Sequence, residues 1–291
     1  MNAVKEKAFA KINLYINVLG RRDDGFHNIS TVMHSVSLCD DITVTLCSRG
    51  HRNIRVFLEG NKRIPTDSKN LAYSAADLFM SRGAIDADIT IKINKRIPVS
   101  SGLAGGSSDA AATLRAMNKL FKHPFSDKAL LSMAESLGSD VPYCLLGGTA
   151  LCEGRGEKIS RLPSIPSLHT VIASSGEYIS TPRAYATLDE IYGGFLGVDD
   201  KKEMLENVIE SLKSGNVDKL KLYNIFEDAV LPTCPIAKGL RDRLYELGAL
   251  GAMMSGSGPS VYGIFASEET AKNAEKTLNK EGAAAFYARS V

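Results

Sequence analysis

The stretch PVSSGLAGGSSDAAATL, Pro98–Leu114, places Gly102, Gly105 and Gly106 within five positions, then two serines, an aspartate and an alanine run. Glycine costs a helix or strand about 0.5–1 kcal/mol relative to alanine. Three of them directly before a helix-forming segment mark a backbone that turns sharply or closes on a ligand. The first turn of a helix offers unpaired N–H donors and about half a positive charge. A glycine loop leading into it wraps those donors around a phosphate without interference from Cβ atoms. Ser107 and Ser108 add hydroxyls beside the same donors, within reach of a phosphate-bound Mg2+, and Ala110–Ala112 let the helix pack close behind. A plainer reading stays open: a tight strand-to-helix turn capped by Ser108 or Asp109. The patterns G-x-x-x-x-G-K-[ST] and G-x-G-x-x-G are both absent.

On either side the hydrophobic period sets the elements. ADITIKINKRIP before the glycines reads as a strand ended by Pro98, and DAAATLRAMNKLF after them as a helix. SDKALLSMAESLG reads as a second helix with Ser126 as N-cap and Gly138 as C-cap. Nearer the start, AKINLYINVLG alternates: Ala10, Ile12, Leu14, Ile16 and Val18 share one face, while Phe9, Lys11, Asn13, Tyr15 and Asn17 share the other. DDITVTLC and NIRVFLEG read as strands, NLAYSAADLFMSRG as a helix. In the second half HTVIAS and SVYGIFAS read as strands, and KEMLENVIESLKSG, IAKGLRDRLYELG and EETAKNAEKTLNKEG as helices. Helices are grouped rather than strictly alternating, so the chain is expected to be α+β. RLPSIPSLH, Arg161–His169, carries two prolines and two serines and is the expected boundary between lobes at 1–160 and 161–291.

The 291 residues suit two lobes better than one. The net charge of +2 is spread, with no basic tail for nucleic acid and no polybasic membrane patch. No apolar run approaches the roughly 20 residues that cross a bilayer. MNAVKEKAFAK holds no apolar h-region, which argues against a secretory signal. The five cysteines form no C-x-x-C and are odd in number, so reduced thiols in a cytoplasmic protein are expected.

PVSSGLAGGSSDAA closely resembles the P-x-x-x-G-L-[GA]-G-G-S-S-[DN]-A signature of the GHMP kinases, a family of small-molecule kinases. AFAKINLYINVLG and MMSGSGPSVYGIF resemble that family's other two signatures, in the family's order. The resemblance implies a two-lobed fold, with an N-terminal α/β lobe like that of ribosomal protein S5 and a ferredoxin-like C-terminal lobe. It implies ATP and Mg2+, with the triphosphate held by Pro98, Val99, Ser100, Ser101, Gly102, Leu103, Ala104, Gly105, Gly106, Ser107 and Ser108. Asn70, Leu71 and Lys95 align with residues lining the adenosine site; without the family they are an ordinary helix start and a solvated strand-end lysine. Mg2+ has no dedicated protein ligand in this reading beyond Ser107 or Ser108.

RRDDGFH, the preceding A-K-I-N-L and the following L-x-D-x-I resemble one branch of the family, whose substrate is a cytidine diphosphate-linked methylerythritol. GSDVPYCLLGGTALCEGRGE resembles that branch's catalytic segment. The implied reaction moves the γ-phosphoryl of ATP to the 2-hydroxyl of that alcohol. Asp140 matches the catalytic aspartate and Lys11 the catalytic lysine. A carboxylate within hydrogen-bond reach of an alcohol takes its proton as the phosphoryl group transfers, and an ammonium keeps the carboxylate ionised. Taken without the family, Asp140 is a loop carboxylate at a helix end and Lys11 part of a solvated strand face, although Phe9 and Tyr15 on that face suggest a covered surface. Phe26 is implied to stack on the cytosine and His27 to hydrogen-bond its edge; the commoner residue at Phe26 is tyrosine. Tyr185 is implied to give a further aromatic platform, and Asn13 a polar contact to the polyol. Ser255–Ser260 is implied to approach the phosphate loop, the plain alternative being a tight hairpin turn. Phe9, where many members carry proline, puts the strand entry in doubt. Homoserine or mevalonate kinase activity and a nucleotide-binding regulator without chemistry are the rival readings. The expected partner is a small molecule, with no nucleic acid or membrane, for a monomer or weak homodimer.

Overall fold

In a computed structural model, which describes residues 2–60, 64–163, 165, 168–193 and 201–291, the alternating segment at Ala10–Val18 is the middle of a 19-residue strand. Part of the expected lobe boundary, Ser164, Pro166 and Ser167, lies outside the described residues. The strand, β1 (Ala3–Arg21), is joined to β2 (His27–Arg49) by a turn in which the Arg22 N–H donates to the Phe26 carbonyl. β3 (Asn53–Glu59) precedes α1 (Leu71–Arg82), which is capped by Asn70 through its Oδ1 and the Ala72 N–H. β4 (Ala87–Asn94) leads to α2 (Gly105–Leu120), α3 (Asp127–Leu137) and α4 (Val141–Leu146). Next come β5 (Thr149–Gly154), β6 (Lys158–Leu162), β7 (His169–Ser174), α5 (Thr181–Tyr192) and α6 (Lys202–Ser214). The chain continues through β8 (Tyr223–Asn224), α7 (Phe226–Val230), α8 (Pro235–Glu246), β9 (Gly251–Met254), β10 (Val261–Phe265), α9 (Glu268–Lys280) and β11 (Ala284–Arg289).

These elements group into two units, neither continuous in sequence. One comprises Met1–Ala10, Cys39–Val99 and Ala104–Gly147. In it β3 runs parallel to β4, and β4 antiparallel to the later half of β2. Ile89, Ile91 and Ile93 point from β4 into the core while Asp88, Thr90 and Lys92 alternate outward. α1 and α2 pack on each other, and Phe79 meets Phe125 edge-on at 4.9 Å.

The other unit comprises Lys11–Leu38, Ser100–Leu103 and Gly148–Val291. Here β5 pairs antiparallel with the early half of β2 and with β6, and β8 pairs parallel with β1 at Tyr15–Tyr223 and Ile16–Asn224. A second, antiparallel sheet has the order β11–β7–β10–β9. Val171, Leu188, Phe226, Leu244, Phe265 and Leu278 belong to one continuous core there. His34 is buried between Thr149 Oγ1 at 2.8 Å and Ser290 Oγ at 3.0 Å, and burial pushes its imidazole down to about 4.

Several expectations change. β4 ends at Asn94 rather than reaching Pro98, because Lys95 turns inward. α2 starts at Gly105 and not Asp109, so Gly105, Gly106, Ser107 and Ser108 are its first turn. β1 passes through Phe9 unbroken, and the Phe9 carbonyl accepts the Ser108 hydroxyl at 2.6 Å. The polar face of β1 is buried and not solvated, with Lys11 only 4% exposed. No helix among the described residues is long and apolar enough to cross a membrane. All five cysteines are free thiols.

Candidate active site

Ala104 stands at the cap position of α2 in the left-handed region, φ 57°, and no side chain caps the helix. The first ladder bond is from the Ser108 N–H to the Ala104 carbonyl. That leaves the N–H groups of Gly105, Gly106 and Ser107 without an intrahelical acceptor. They carry the positive end of the helix dipole. Neither Ser108 nor Asp109 caps the helix. Ser108 is buried, whereas Ser107 is partly exposed. Leu71 lies against this turn, with its Cδ1 3.8 Å from where a Gly106 Cβ would stand.

Beneath the turn sits a buried charge cluster whose pairing no motif had indicated. Lys95 Nζ donates to Asp40 Oδ2 at 2.5 Å and Asp109 Oδ2 at 2.8 Å, with all three side chains almost wholly enclosed. Asp40 Oδ1 also accepts the N–H groups of Arg96 and Ile97. Burial acts against the Lys95 ammonium, but Asp109 and Asp40 outweigh it and hold its pKa above the ordinary value. Burial, with Asp40 beside it, lifts the Asp109 carboxyl well above the usual carboxylate range despite Lys95. Asp109 Oδ1 is buried with no hydrogen-bond partner. A Cβ on Gly105 would stand 2.9 Å from Lys95 Nζ, so only glycine lets the helix start this close to the ammonium. Lys95 is therefore not a solvated strand end. Asn70 spends its side chain on capping α1 and on donating to the Pro65 carbonyl.

Asp140, in the same unit, holds the cap position of α4, with proline in the first turn, yet its carboxylate makes no cap bond. It is partly exposed.

In the second unit Lys11 Nζ donates to Asn13 Oδ1 at 2.5 Å. Asn13 Nδ2 donates to Thr31 Oγ1 at 2.7 Å, and Thr31 donates on to the Tyr15 carbonyl. The Asn13 side chain therefore serves to hold Lys11 in place. The Ser255–Ser260 loop, the turn between β9 and β10, lies against both Lys11 and Gly102. A Cβ on Gly256 would stand 2.9 Å from Lys11 Nζ, and one on Gly102 only 2.0 Å from the Ser255 carbonyl oxygen. Gly102 also has φ +77°, so close approach and backbone conformation both demand glycine. Asn224, which sequence reasoning missed, braces this loop by donating to the Met254 and Gly256 carbonyls while accepting the Phe226 N–H. Thr181 and Ser257 hydroxyls meet at 2.9 Å, tying the start of α5 to the same loop.

Phe26 is 52% exposed, with the Arg155 guanidinium 4.8 Å from its ring centre. His27 stacks on Tyr185 with centroids 4.7 Å apart. The ring over Tyr185 is thus an imidazole of the protein. Tyr185 is in turn met edge-on by Phe226 at 4.9 Å. His27 Nε2 lies 2.9 Å from Asp189 Oδ1. No group of three or more His, Cys, Asp or Glu side chains placed to hold a metal exists among the described residues.

Two sequence families match: "GHMP kinases N terminal domain" over residues 70–148 and "GHMP kinases C terminal" over residues 197–284. A 4-diphosphocytidyl-2-C-methyl-D-erythritol kinase of Caldicellulosiruptor bescii is 40% identical over 277 residues, 94% of each chain. A solved 4-(cytidine 5'-diphospho)-2C-methyl-D-erythritol kinase superposes with a TM-score of 0.82 at 31% identity, covering 98% of both chains. A homoserine kinase of Cytophaga hutchinsonii shares the fold, with a TM-score of 0.77 at 21% identity over 100% of this chain and 95% of that one.

Proposed function

Because the chain belongs to the GHMP kinases, and within them to the 4-diphosphocytidyl-2-C-methyl-D-erythritol kinases, we propose that it phosphorylates the 2-hydroxyl of 4-diphosphocytidyl-2-C-methyl-D-erythritol with ATP. The products are the 2-phosphate and ADP, a step of non-mevalonate isoprenoid biosynthesis. Its fold is the two-lobed one of that family. In this reading residues 1–160 form the lobe with the phosphate loop and both catalytic side chains, and 161–291 the second lobe.

The observation that carries the reading is the uncapped first turn of α2 behind left-handed Ala104. It offers three main-chain donors to the phosphates of ATP, and Pro98–Leu103 continue the cradle. Asn70, Leu71 and Lys95 flank the nucleotide, Lys95 from beneath the turn. As the bond from the γ-phosphorus to ADP breaks and the bond to the alcohol oxygen forms, Asp140 receives the hydroxyl proton. Lys11, held by Asn13, stabilises the charge gathering on the transferring group. Ser107, partly exposed at this turn, is the hydroxyl that would be open to Mg2+ carried by ATP, which would neutralise phosphate charge. Phe26 stacks on the cytosine, His27 contacts its polar edge, and Tyr185 supports His27.

Purified protein with Mg-ATP is expected to release ADP with the cytidylated alcohol and not with homoserine or mevalonate. Turnover with either of those alone would overturn the assignment.

A further inference from the structure

We propose that Asp189 is a specificity-determining positioning residue, which fixes the protonation pattern of His27 so that this side chain accepts a hydrogen bond from the 4-amino group of cytosine and rejects uracil. The inference rests on the reading above in which His27 meets the base.

A carboxylate has only acceptor atoms, so the nitrogen facing it carries the proton. Asp189 Oδ1 stands 2.9 Å from His27 Nε2, which places that proton on Nε2. In the neutral ring Nδ1 is then left as a lone-pair acceptor. Cytosine presents an amino donor at position 4, where uracil presents a carbonyl oxygen. An acceptor on His27 matches the first and opposes the second with unpaired lone pairs. Without Asp189 nothing holds the proton on Nε2, and the ring can turn an N–H donor towards the base instead.

The grip on the imidazole comes from one helix. Tyr185 and Asp189 are four residues apart on α5, so both project from the same side of it. Tyr185 covers the ring face at 4.7 Å and Asp189 takes its edge, fixing both plane and tautomer. Phe226 supports Tyr185 from the core, and the Thr181–Ser257 contact anchors the first turn of α5. The His27 side chain is 8% exposed and the Asp189 side chain 23%, so the pair is sheltered without being sealed. An ion pair that merely clipped the β1–β2 turn to α5 would need no stacked ring aligned with it.

The test compares the cytidine-linked substrate with its uridine counterpart at about pH 8, above the ordinary range of an imidazole. Wild type, Asp189→Asn, Asp189→Glu and His27→Ala are assayed, each checked for native folding by circular dichroism. Wild type is expected to favour the cytidine compound by about a hundredfold or more in kcat/KM, because a site built on a hydrogen bond rejects the group that cannot make it. Asp189→Asn presents either an acceptor or a donor to Nε2. It is expected to narrow the preference about tenfold, through KM for the cytidine compound, with kcat within about twofold. Asp189→Glu keeps the acceptor and is expected to restore part of the preference. If Asp189→Asn keeps the full preference while His27→Ala loses it, the inference fails and base contact by His27 stands. If His27→Ala also keeps wild-type KM and preference, the base-contact reading fails and the inference falls with it. A wild type that does not discriminate overturns it as well.

Discussion

Asp109 and Lys95 meet at 2.8 Å inside the protein, one from the second turn of α2 and the other just past the end of β4. Asp40 completes the cluster from β2. Two carboxylates share one ammonium there, and a Cβ on Gly105, the first residue of α2, would stand 2.9 Å from that ammonium.

Lys95→Met is therefore expected to lose about 3–5 kcal/mol of stability in urea unfolding, because removal of one partner leaves buried charge uncompensated. The loss should grow between pH 5 and pH 8. In wild type Asp109, lifted to about 7 by burial, gives up its proton beside Lys95 as pH rises, whereas without the ammonium its ionisation in the interior is opposed and the difference between the two proteins widens. Asp109→Asn retains an acceptor for Lys95 and is expected to stay within about 1.5 kcal/mol of wild type. A Lys95→Met protein as stable as wild type at pH 8 would contradict the account.

Gly102→Ala is expected to cost well over about 2 kcal/mol and most activity. A left-handed backbone alone costs a side chain roughly 1–2 kcal/mol, and here the new Cβ also meets the Ser255 carbonyl. Gly176 shares the positive φ, at +71°, but has nothing within 4 Å of the Cβ position. Gly176→Ala should thus show the backbone cost alone, about 1 kcal/mol, with kcat unchanged. Equal losses in the two variants would refute the close-contact argument.

Lys11→Met is expected to lower kcat about a hundredfold or more, since a fixed cation at developing charge is worth that much. Asp140→Ala should abolish turnover while leaving ATP affinity within a few-fold. ATP titration followed by steady-state assay separates the two effects. Normal turnover in Asp140→Ala would remove it as the proton acceptor.

Asn224→Ala should destabilise the protein by about 3 kcal/mol and reduce kcat. It leaves the Met254 and Gly256 carbonyls unpaired and frees the loop that rests on Lys11. Calorimetry with a kinetic assay on the same preparation is the check.

His34 predicts acid sensitivity. Its pKa is about 4 when folded, below the ordinary 6.5, so the unfolded chain binds the proton first. The neutral-pH contribution is complete above about 6.5 and falls as pH drops towards 4, by about 3 kcal/mol in total. His34→Asn has no titration there. Its urea midpoint should therefore vary less between pH 7 and pH 4.5 than that of wild type.

Local chemistry made much of the architecture legible. Ser126 caps α3 through the Ala129 N–H and Gly138 ends it, as their types suggest. The alternation in β1 located its strand, and Phe9 and Tyr15 pointed to a covered face where Lys11, Asn13 and Asn17 are enclosed, but not to what covers it. Pattern tells which residues share a side, and what covers that side is decided by distant chain. The glycines disguised the first turn of α2, because their low helix propensity conceals a turn that left-handed Ala104 sets up. Partners remote in sequence stayed hidden for the same reason. Asp189 is 162 positions from His27, and Asp40 is 55 from Lys95, although Asp40 sits in the quoted L-x-D-x-I pattern. Gly102 and Ser255, by contrast, both lay in short motifs whose small residues signalled backbone meeting backbone.

The parallel pairing of Tyr15 with Tyr223 and Ile16 with Asn224 bears on synthesis in the cell. At about 5–20 residues per second, a ribosome delivers the second partner roughly ten to forty seconds after the first. Throughout that delay β1 has β2 along one edge while its other edge stays open. Nascent chains stalled before codon 223 should consequently recruit trigger-type chaperones, and chains released beyond it should let them go.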